Sequence, residues 1–261
     1  MGIKPAIIEN LAVEGTVNST DISVGGICGE ICGKNGIIRN CSFIGNVSGG
    51  EQAVGGVVGY IWQSGSVIDC YHNGTVTSNG GRIIGGVVGN IHTGGSEDSN
   101  TVLIQNCYHV GTLSGASDAA GTIAGIVSVD TQHESIITIE NCYALQGEGN
   151  AIGSGKANTQ DITLLKSALM KAAASSLGSA YKENTDSSFN GGYPIFNWQN
   201  RVVGDCNNDG VFTIADIVMV QKWLLNDGTV LDNWKAADLY GDNVINVFDL
   251  VLMKQMIVNI K

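Results

Sequence analysis

Two periodicities divide the chain. From residue 8 to 145, short runs rich in Ile and Val are broken by glycines, and the same pattern returns four times. From residue 204 onward, clusters of Asp and Asn open into longer apolar runs with helical spacing. The first pattern predicts short strands with tight corners, and the second predicts loop–helix pairs.

The repeats align as Ile8-Glu-Asn-Leu-Ala-Val-Glu-Gly-Thr-Val17, Ile38-Arg-Asn-Cys-Ser-Phe-Ile-Gly-Asn-Val47, Ile68-Asp-Cys-Tyr-His-Asn-Gly-Thr-Val76, Ile104-Gln-Asn-Cys-Tyr-His-Val-Gly-Thr-Leu113 and a truncated Ile139-Glu-Asn-Cys-Tyr-Ala-Leu145. A second motif alternates with them: Val24-Gly-Gly-Ile-Cys-Gly29, Val54-Gly-Gly-Val-Val-Gly59, Ile84-Gly-Gly-Val-Val-Gly89 and the looser Ile123-Ala-Gly-Ile-Val127. The equivalent positions Leu11, Cys41, Cys70, Cys107 and Cys142 are 30, 29, 37 and 35 residues apart. That period, with β-branched strands and glycine corners, predicts a β-solenoid of stacked coils. The longer spacings predict surface insertions near residues 94–100 and 114–120. The pattern is similar to the GLUG repeat, which implies stacked β-coils beside other modules and no catalytic residue.

The C-terminal pattern carries candidate chemistry. Asp205-Cys-Asn-Asn-Asp-Gly-Val-Phe-Thr-Ile-Ala-Asp216 fits the oxygen-ligand spacing of an EF-hand-like calcium loop. Asp205, Asn207, Asp209 and Asp216 offer side-chain oxygens, Val211 a carbonyl, and Thr213 a place to hold water. A second loop, Asp238-Leu-Tyr-Gly-Asp-Asn-Val-Ile-Asn-Val-Phe-Asp249, begins 33 residues later. Asp238, Asp242, Val244 (carbonyl), Asn246 and Asp249 match, while Tyr240 is a poor ligand and Asn243 replaces the turn glycine. Two calcium ions are expected, the first held more strongly. Apolar helices follow at residues 217–225 and 250–257.

This duplicated loop–helix unit resembles a type I dockerin over residues 204–261. The resemblance implies a small all-α domain that docks on a cohesin module of a cellulosomal scaffold protein. It places the cohesin contacts at Ile214, Ala215, Gln221, Lys222 and Asn226 in the first repeat, and at Val247, Phe248, Lys254, Gln255 and Asn259 in the second. Spare apolar residues at both helix starts support an interface, with absorption into the core as the alternative.

Between the two regions, residues 158–174 carry an apolar stripe of Leu164, Leu165, Ala168, Leu169 and Ala172 behind Thr159 or Asp161. This predicts a helix capping the solenoid end. The aromatic stretch from Ser188 to Trp198 predicts a closing strand under that helix, with a sugar platform as the alternative, and residues 200–204 a short linker. The expected domains are therefore 1–155, 156–203 and 204–261.

Composition narrows the function. The chain has 261 residues, 37 of them glycine and 2 proline, with a net charge of −11 and no basic patch, which speaks against nucleic acid. No apolar run is long enough to span a bilayer. Met-Gly-Ile-Lys-Pro lacks a signal-peptide core, yet a calcium module suits a secreted, cell-surface or cellulosome-attached setting, so a piece of a longer secreted protein is expected. Seven is an odd number of cysteines; Cys41, Cys70, Cys107, Cys142 and Cys28 hold repeat positions, Cys32 is off the pattern and Cys206 is a non-ligand position of the first loop, so reduced, packed thiols are expected. His72 and His109, beside Tyr71 and Tyr108, read as repeat residues rather than a ligand ladder. Asp69, Glu140, Glu30 and Glu134 are the carboxylates available for glycan chemistry, but no acid/base pair stands out. The expected function is calcium-dependent anchoring of a non-catalytic repeat module to a cohesin. The alternatives are a polysaccharide-degrading component and an adhesive surface protein, with plant cell-wall polysaccharide as a further partner.

Overall fold

A computed structural model describes residues 5–49, 52–80, 83–95, 99–115, 119–130, 134–160, 162–199 and 202–259. Contacts divide the chain into two compact units, Met1–Phe196 and Asn197–Lys261.

The first unit is a curled, parallel β structure. Strand Ile7–Asn18 pairs with Cys28–Gly49, which pairs with Val58–Asn73, and the succession continues through Ser99–Gln105 and Glu134–Glu140. The repeats meet in register: Leu11 faces Cys41, Cys41 faces Cys70, and Tyr71 faces Tyr108. A separate four-stranded sheet stacks Ser23–Gly25, Ala53–Gly55, Ile83–Gly85 and Ala119–Gly121. The fourth copy of the glycine motif starts earlier than the Ile123–Val127 alignment expects, because Ala120 pairs with Ile84, Gly121 with Gly85 and Ala124 with Val88.

Stacking explains the conserved chemistry of each copy within the chain. Cys41, Cys70, Cys107 and Cys142 are all fully buried and free. Each thiol lies 3.1–3.3 Å from the carbonyl two residues before it. They pack as small hydrophobes, as the repeat positions predict. The residue before each of them turns a corner in the left-handed region: Asn40, Asp69, Asn106 and Asn141 have φ between 49° and 54°. Asn and Asp tolerate that conformation better than other side chains. Gly45, Gly74 and Gly111 form another column, and a Cβ on Gly74 would lie 1.9 Å from the Gly45 carbonyl oxygen.

His72 and His109 are buried packing residues. Their rings stack at 5.0 Å and their Nδ1 atoms lie 3.0 Å apart, while His72 Nε2 donates to the Gly45 carbonyl at 2.9 Å. Burial pushes His72 down to about 4 and holds His109 well below the ordinary imidazole value, so both are neutral.

The segment after the fifth repeat departs from the helix expected at 158–174. Asn158–Gln160 and Thr163–Leu165 are strands, paired with residues 138–140 and 143–145. They add a further, shorter coil. The backbone N–H and C=O groups of the fifth repeat gain a ladder this way, which outweighs the local helical stripe. Two short helices follow, α1 (Ser167–Lys171) and α2 (Ala174–Leu177). They bury Met170, Ala174 and Leu177, while Leu169 is 60% exposed. Asp161 lies outside the described residues.

These helices and the short antiparallel pair Tyr181–Lys182 with Ile195–Phe196 cover the tyrosine column at the flank of the coils. Tyr71 and Tyr108 stack at 4.8 Å, with Tyr181 and Phe196 tilted against them. Tyr108 donates its hydroxyl to the Pro194 carbonyl, and Tyr181 donates to the Asn106 carbonyl at 2.8 Å. Phe189 and Phe196 are buried in this cover over the coils and Tyr193 is half-buried, so they offer no sugar platform, while Trp198 at the end of the stretch is exposed. The insertions near 94–100 and 114–120 are in part strand: Ser99–Gln105, Leu113–Gly115 and Ala119–Gly121. Residues 96–98 and 116–118 lie outside the described residues.

The second unit is helical: α3 (Ile214–Leu224), α4 (Trp234–Ala237) and α5 (Val247–Asn259). Its core joins Cys206, Phe212, Ile217, Val220, Leu231, Ala237, Ile245, Leu250 and Met253. Gly204, expected in a linker, belongs to this unit. It donates to the Ala236 carbonyl at 2.7 Å, and its φ of +88° leaves Phe212 packed where a Cβ would stand. Residues 200 and 201 lie outside the described residues.

Candidate functional site

The two Asp-rich loops fold alike, position by position. In the first, the fully buried Asp205 carboxylate accepts N–H groups from Asp209 (3.1 Å) and Gly210 (2.8 Å). In the second, Asp238 accepts from Gly241 (2.8 Å), Asp242 (3.2 Å) and Asn243 (2.8 Å). At the other end, Asp216 reaches back to Cys206 N (3.0 Å) and Thr213 N (2.8 Å). Asp249 likewise reaches Tyr240 N (2.9 Å) and Asn246 N (2.9 Å). Each closing carboxylate therefore ties its loop to the first turn of its helix.

Left-handed residues make these turns. Asn208 and Gly210 have φ of +59° and +97°; Gly241 and Asn243 have +77° and +61°. Gly and Asn exchange places between the loops, so Asn243 forms the turn as expected. The matching turn at Asn208 and Gly241 was not read from the sequence, although Asn or Gly at the fourth position of both loops signals it.

Thr213 and Asn246, named as cation-loop positions, also start the helices. Thr213 Oγ1 accepts from Ala215 N at 3.1 Å and Asn246 Oδ1 from Phe248 N at 2.7 Å. Thr213 and Asp216 complete a capping box on α3, which advances its start to Ile214. Asn246 plays the same part before Val247.

The fifth positions match as well, and the third positions diverge. Asp209 accepts from Val211 N (2.9 Å) and from Asn207 Nδ2 (2.8 Å). Asp242 accepts from Val244 N (3.0 Å). Tyr240 is 65% exposed, and its ring tilts against Phe248 at 6.0 Å, so the second loop offers a phenol where the first has the Asn207 amide. Cys206, between ligand positions, is buried, and its thiol is pushed up to about 12 by burial first and the Asp216 charge second.

The donor chemistry fits a hard cation. Carboxylate, amide and carbonyl oxygens line each loop, the set that calcium takes. Asp216 and Asp249 are fully buried, and neutral N–H and O–H groups hold them. A buried carboxylate is costly without a positive charge near it. Among the described residues, no three His, Cys, Asp or Glu side chains gather as a metal group. The fit rests on mixed oxygen donors, not on an acid triad.

Residues 203–258 match the dockerin type I domain. Residues 50–77 match the GLUG motif. The chain thus carries a C-terminal type I dockerin domain behind GLUG-type sequence. No curated protein and no solved structure matches the chain. A dockerin domain implies a cohesin partner, and type I dockerins generally bind calcium. Among the described residues no helix is long and apolar enough to cross a membrane.

The helix surfaces of the dockerin domain answer whether the core absorbs the apolar residues at the helix starts. It does not. Ile214 is 68% exposed, Val247 58% and Phe248 63%, and Ala215 is exposed as well. Lys222, Asn226, Lys254, Gln255 and Asn259 are exposed and Gln221 is half-buried. Further apolar residues join them. Val218 and Leu225 on the first face, and Val251 and Val258 on the second, are also exposed. The sequence expectation placed apolar interface residues only at the helix starts. Their spacing is the missed signal: Ile214, Val218 and Leu225 repeat as Val247, Val251 and Val258, on one side of each helix. On α5, a cavity of about 330 Å³ opens between Val251, Lys254, Gln255, Val258 and Asn259.

Proposed function

We propose that this chain is a cohesin-binding component, held in its binding form by calcium, that carries a non-catalytic β-solenoid. One observation carries the reading: two loops of matching geometry each start a helix that exposes an apolar stripe. The coordinating groups would be Asp205, Asn207, Asp209, the Val211 carbonyl, Thr213 through water, and Asp216. In the second loop they would be Asp238, Asp242, the Val244 carbonyl, Asn246 and Asp249. Bound there, the ion supplies the positive charge that the clustered carboxylates lack. The first loop is the stronger site, because Asn207 offers an oxygen where Tyr240 turns its ring to Phe248. In-register parallel pairing from copy to copy supports the solenoid, and a secreted, cellulosome-attached setting follows from the partner. Buried neutral His72 and His109 support a structural rather than catalytic repeat region.

The second helix face is the dominant one. Phe248 is large and exposed on α5, the helix that also bears the cavity, while its counterpart Ala215 is small. Pull-down against a cohesin panel, with and without chelator, tests the partner. Retention unaffected by chelator, or no retention on any cohesin, sinks the reading. Calorimetric titration against the retained cohesin then tests the face. Phe248→Ala is expected to cost about 2 kcal/mol of affinity, in the range of an interface hot spot, and Ile214→Ala less.

A further inference from the structure

The outward side of the coils carries a ring stack with a missing rung. Four strands bring Cys32, Trp62, His92 and Ser128 into one column by register. Trp62 and His92 stack at 4.9 Å with planes 6° apart. Rings that stack along the column lie across it, so one face of Trp62 is covered by His92 and the other looks toward Cys32. Cys32 is small and exposed. Strand spacing is about 4.8 Å, so the notch above Cys32 is one ring thick.

The neighbouring column sets the chemistry of the notch. Glu30, Tyr60 and Asn90 pair across the same strands. Tyr60 tilts against Trp62 at 6.0 Å. Burial first, then the Glu30 charge and Cys32, push the Tyr60 hydroxyl up to about 12, so it stays a neutral donor. Asn90 Oδ1 is buried and has no partner among the described residues, an unmade bond with a cost. Glu30 is exposed and acidic on a chain of net charge −11. An anion is repelled here, and a flat apolar ring without hydroxyls would leave Glu30, Tyr60 and Asn90 unused.

We propose that the notch beside Trp62 binds an uncharged sugar ring of a neutral glycan, stacked on the free indole face and flanked by Glu30 and Tyr60. The C–H face of a sugar meets the negative π face of an indole, and its hydroxyls meet the carboxylate and phenol. The site is independent of the dockerin loops. It gives the repeat region a ligand that it would bring to a scaffold.

Affinity electrophoresis of the full chain, run in chelator to silence the loops, tests the proposal. The gels contain soluble mixed-linkage β-glucan, xyloglucan or arabinoxylan, with polygalacturonate as the acidic control. Retardation by at least one neutral polymer and none by polygalacturonate is expected. Trp62→Ala should weaken it by about tenfold or more, a single stacking contact's worth. Cys32→Phe fills the notch from an exposed position and should do the same with an unchanged melting temperature, which covers the case that Trp62→Ala misfolds. No retardation by the neutral polymers, retardation by polygalacturonate alone, or undiminished retardation of well-folded Cys32→Phe overturns it.

Discussion

The two units satisfy their polar groups over different distances. In the coil unit, a carbonyl or corner amide finds its partner in the next copy, about thirty residues away. Asn40 donates to Asn10 at 3.2 Å, Asn106 to Asp69 at 2.8 Å, and Asn141 to Asn106 at 2.8 Å. In the dockerin unit, Asp205, Asp216, Asp238 and Asp249 find theirs inside their own twelve-residue loops. The first arrangement spreads neutral amides along a stack and needs no ion. The second concentrates negative charge on small loops, so its stability is tied to a cation.

Chelation should break the comparison most visibly. In calorimetry of the full chain, calcium should stabilise the dockerin transition by about 4 kcal/mol per site at a thousandfold excess over Kd, and chelator should remove that gain while the coil transition stays put. Two unmoved transitions would refute metal-linked folding. Gly74→Ala makes the opposite cut. Its φ is +150° and its new Cβ would strike the Gly45 carbonyl, so the coil transition should lose about 3 kcal/mol or more. Gly33→Ala, at φ +88° with nothing within 4 Å, carries only backbone strain of about 1 kcal/mol. Equal losses would show that stacking contact is not what fixes the Gly74 column.

Inside the dockerin unit, Asp205→Ala removes the acceptor for two N–H groups and should cost about 2 kcal/mol even before the ion is counted. Tyr240→Ala, at an exposed ring, should change stability by less than about 0.5 kcal/mol. Chemical denaturation in calcium checks both, and a larger effect at Tyr240 would reverse the ranking of the loops.

The same contrast of distances decides what could be read from the chain. The Asp loops were legible because ligand spacing, turn and cap all lie within twelve residues. The cysteine column was legible because four copies share it. Asn158–Gln160 and Thr163–Leu165 were not, because their strand character comes from partners at 138–140 and 143–145, while Leu164, Leu165 and Leu169 locally imitate a helix stripe. Trp62 and His92 looked unrelated until register placed them in one column. The exposed Val251 and Val258 were hidden for another reason: apolar residues on a helix do not announce which of them the core has room for.

The most conditional effect, present at neutral pH and absent in acid, concerns a break in the amide ladder. Asn10, Asn40, Asp69, Asn106 and Asn141 hold one corner position, and each later Asn donates its amide to the residue below. Asp69 is the exception. An ionised carboxylate has no hydrogen to give, and Asn40 Oδ1 is left buried with no partner among the described residues. A neutral Asp69 can donate to it. Burial raises the Asp69 pKa, against the lowering effect of the Asn106 bond, and Tyr181, whose hydroxyl binds the Asn106 carbonyl, is the titratable neighbour on the covering segment. A carboxyl whose folded pKa is raised contributes stability that is fully present below its unfolded pKa. That contribution fades as pH rises through the folded value. Asp69→Asn should therefore stabilise the coil unit by about 1 kcal/mol at neutral pH, since the restored bond is only partly shielded from solvent. The gain should vanish in acid, where the wild-type side chain carries its own proton. Melting temperatures of both proteins across pH 3 to 8 (a range bracketing the ordinary carboxylate values) decide it. A gain that does not depend on pH would mean the substitution acts through something other than the missing donor, and a loss at every pH would mean the corner prefers the charge.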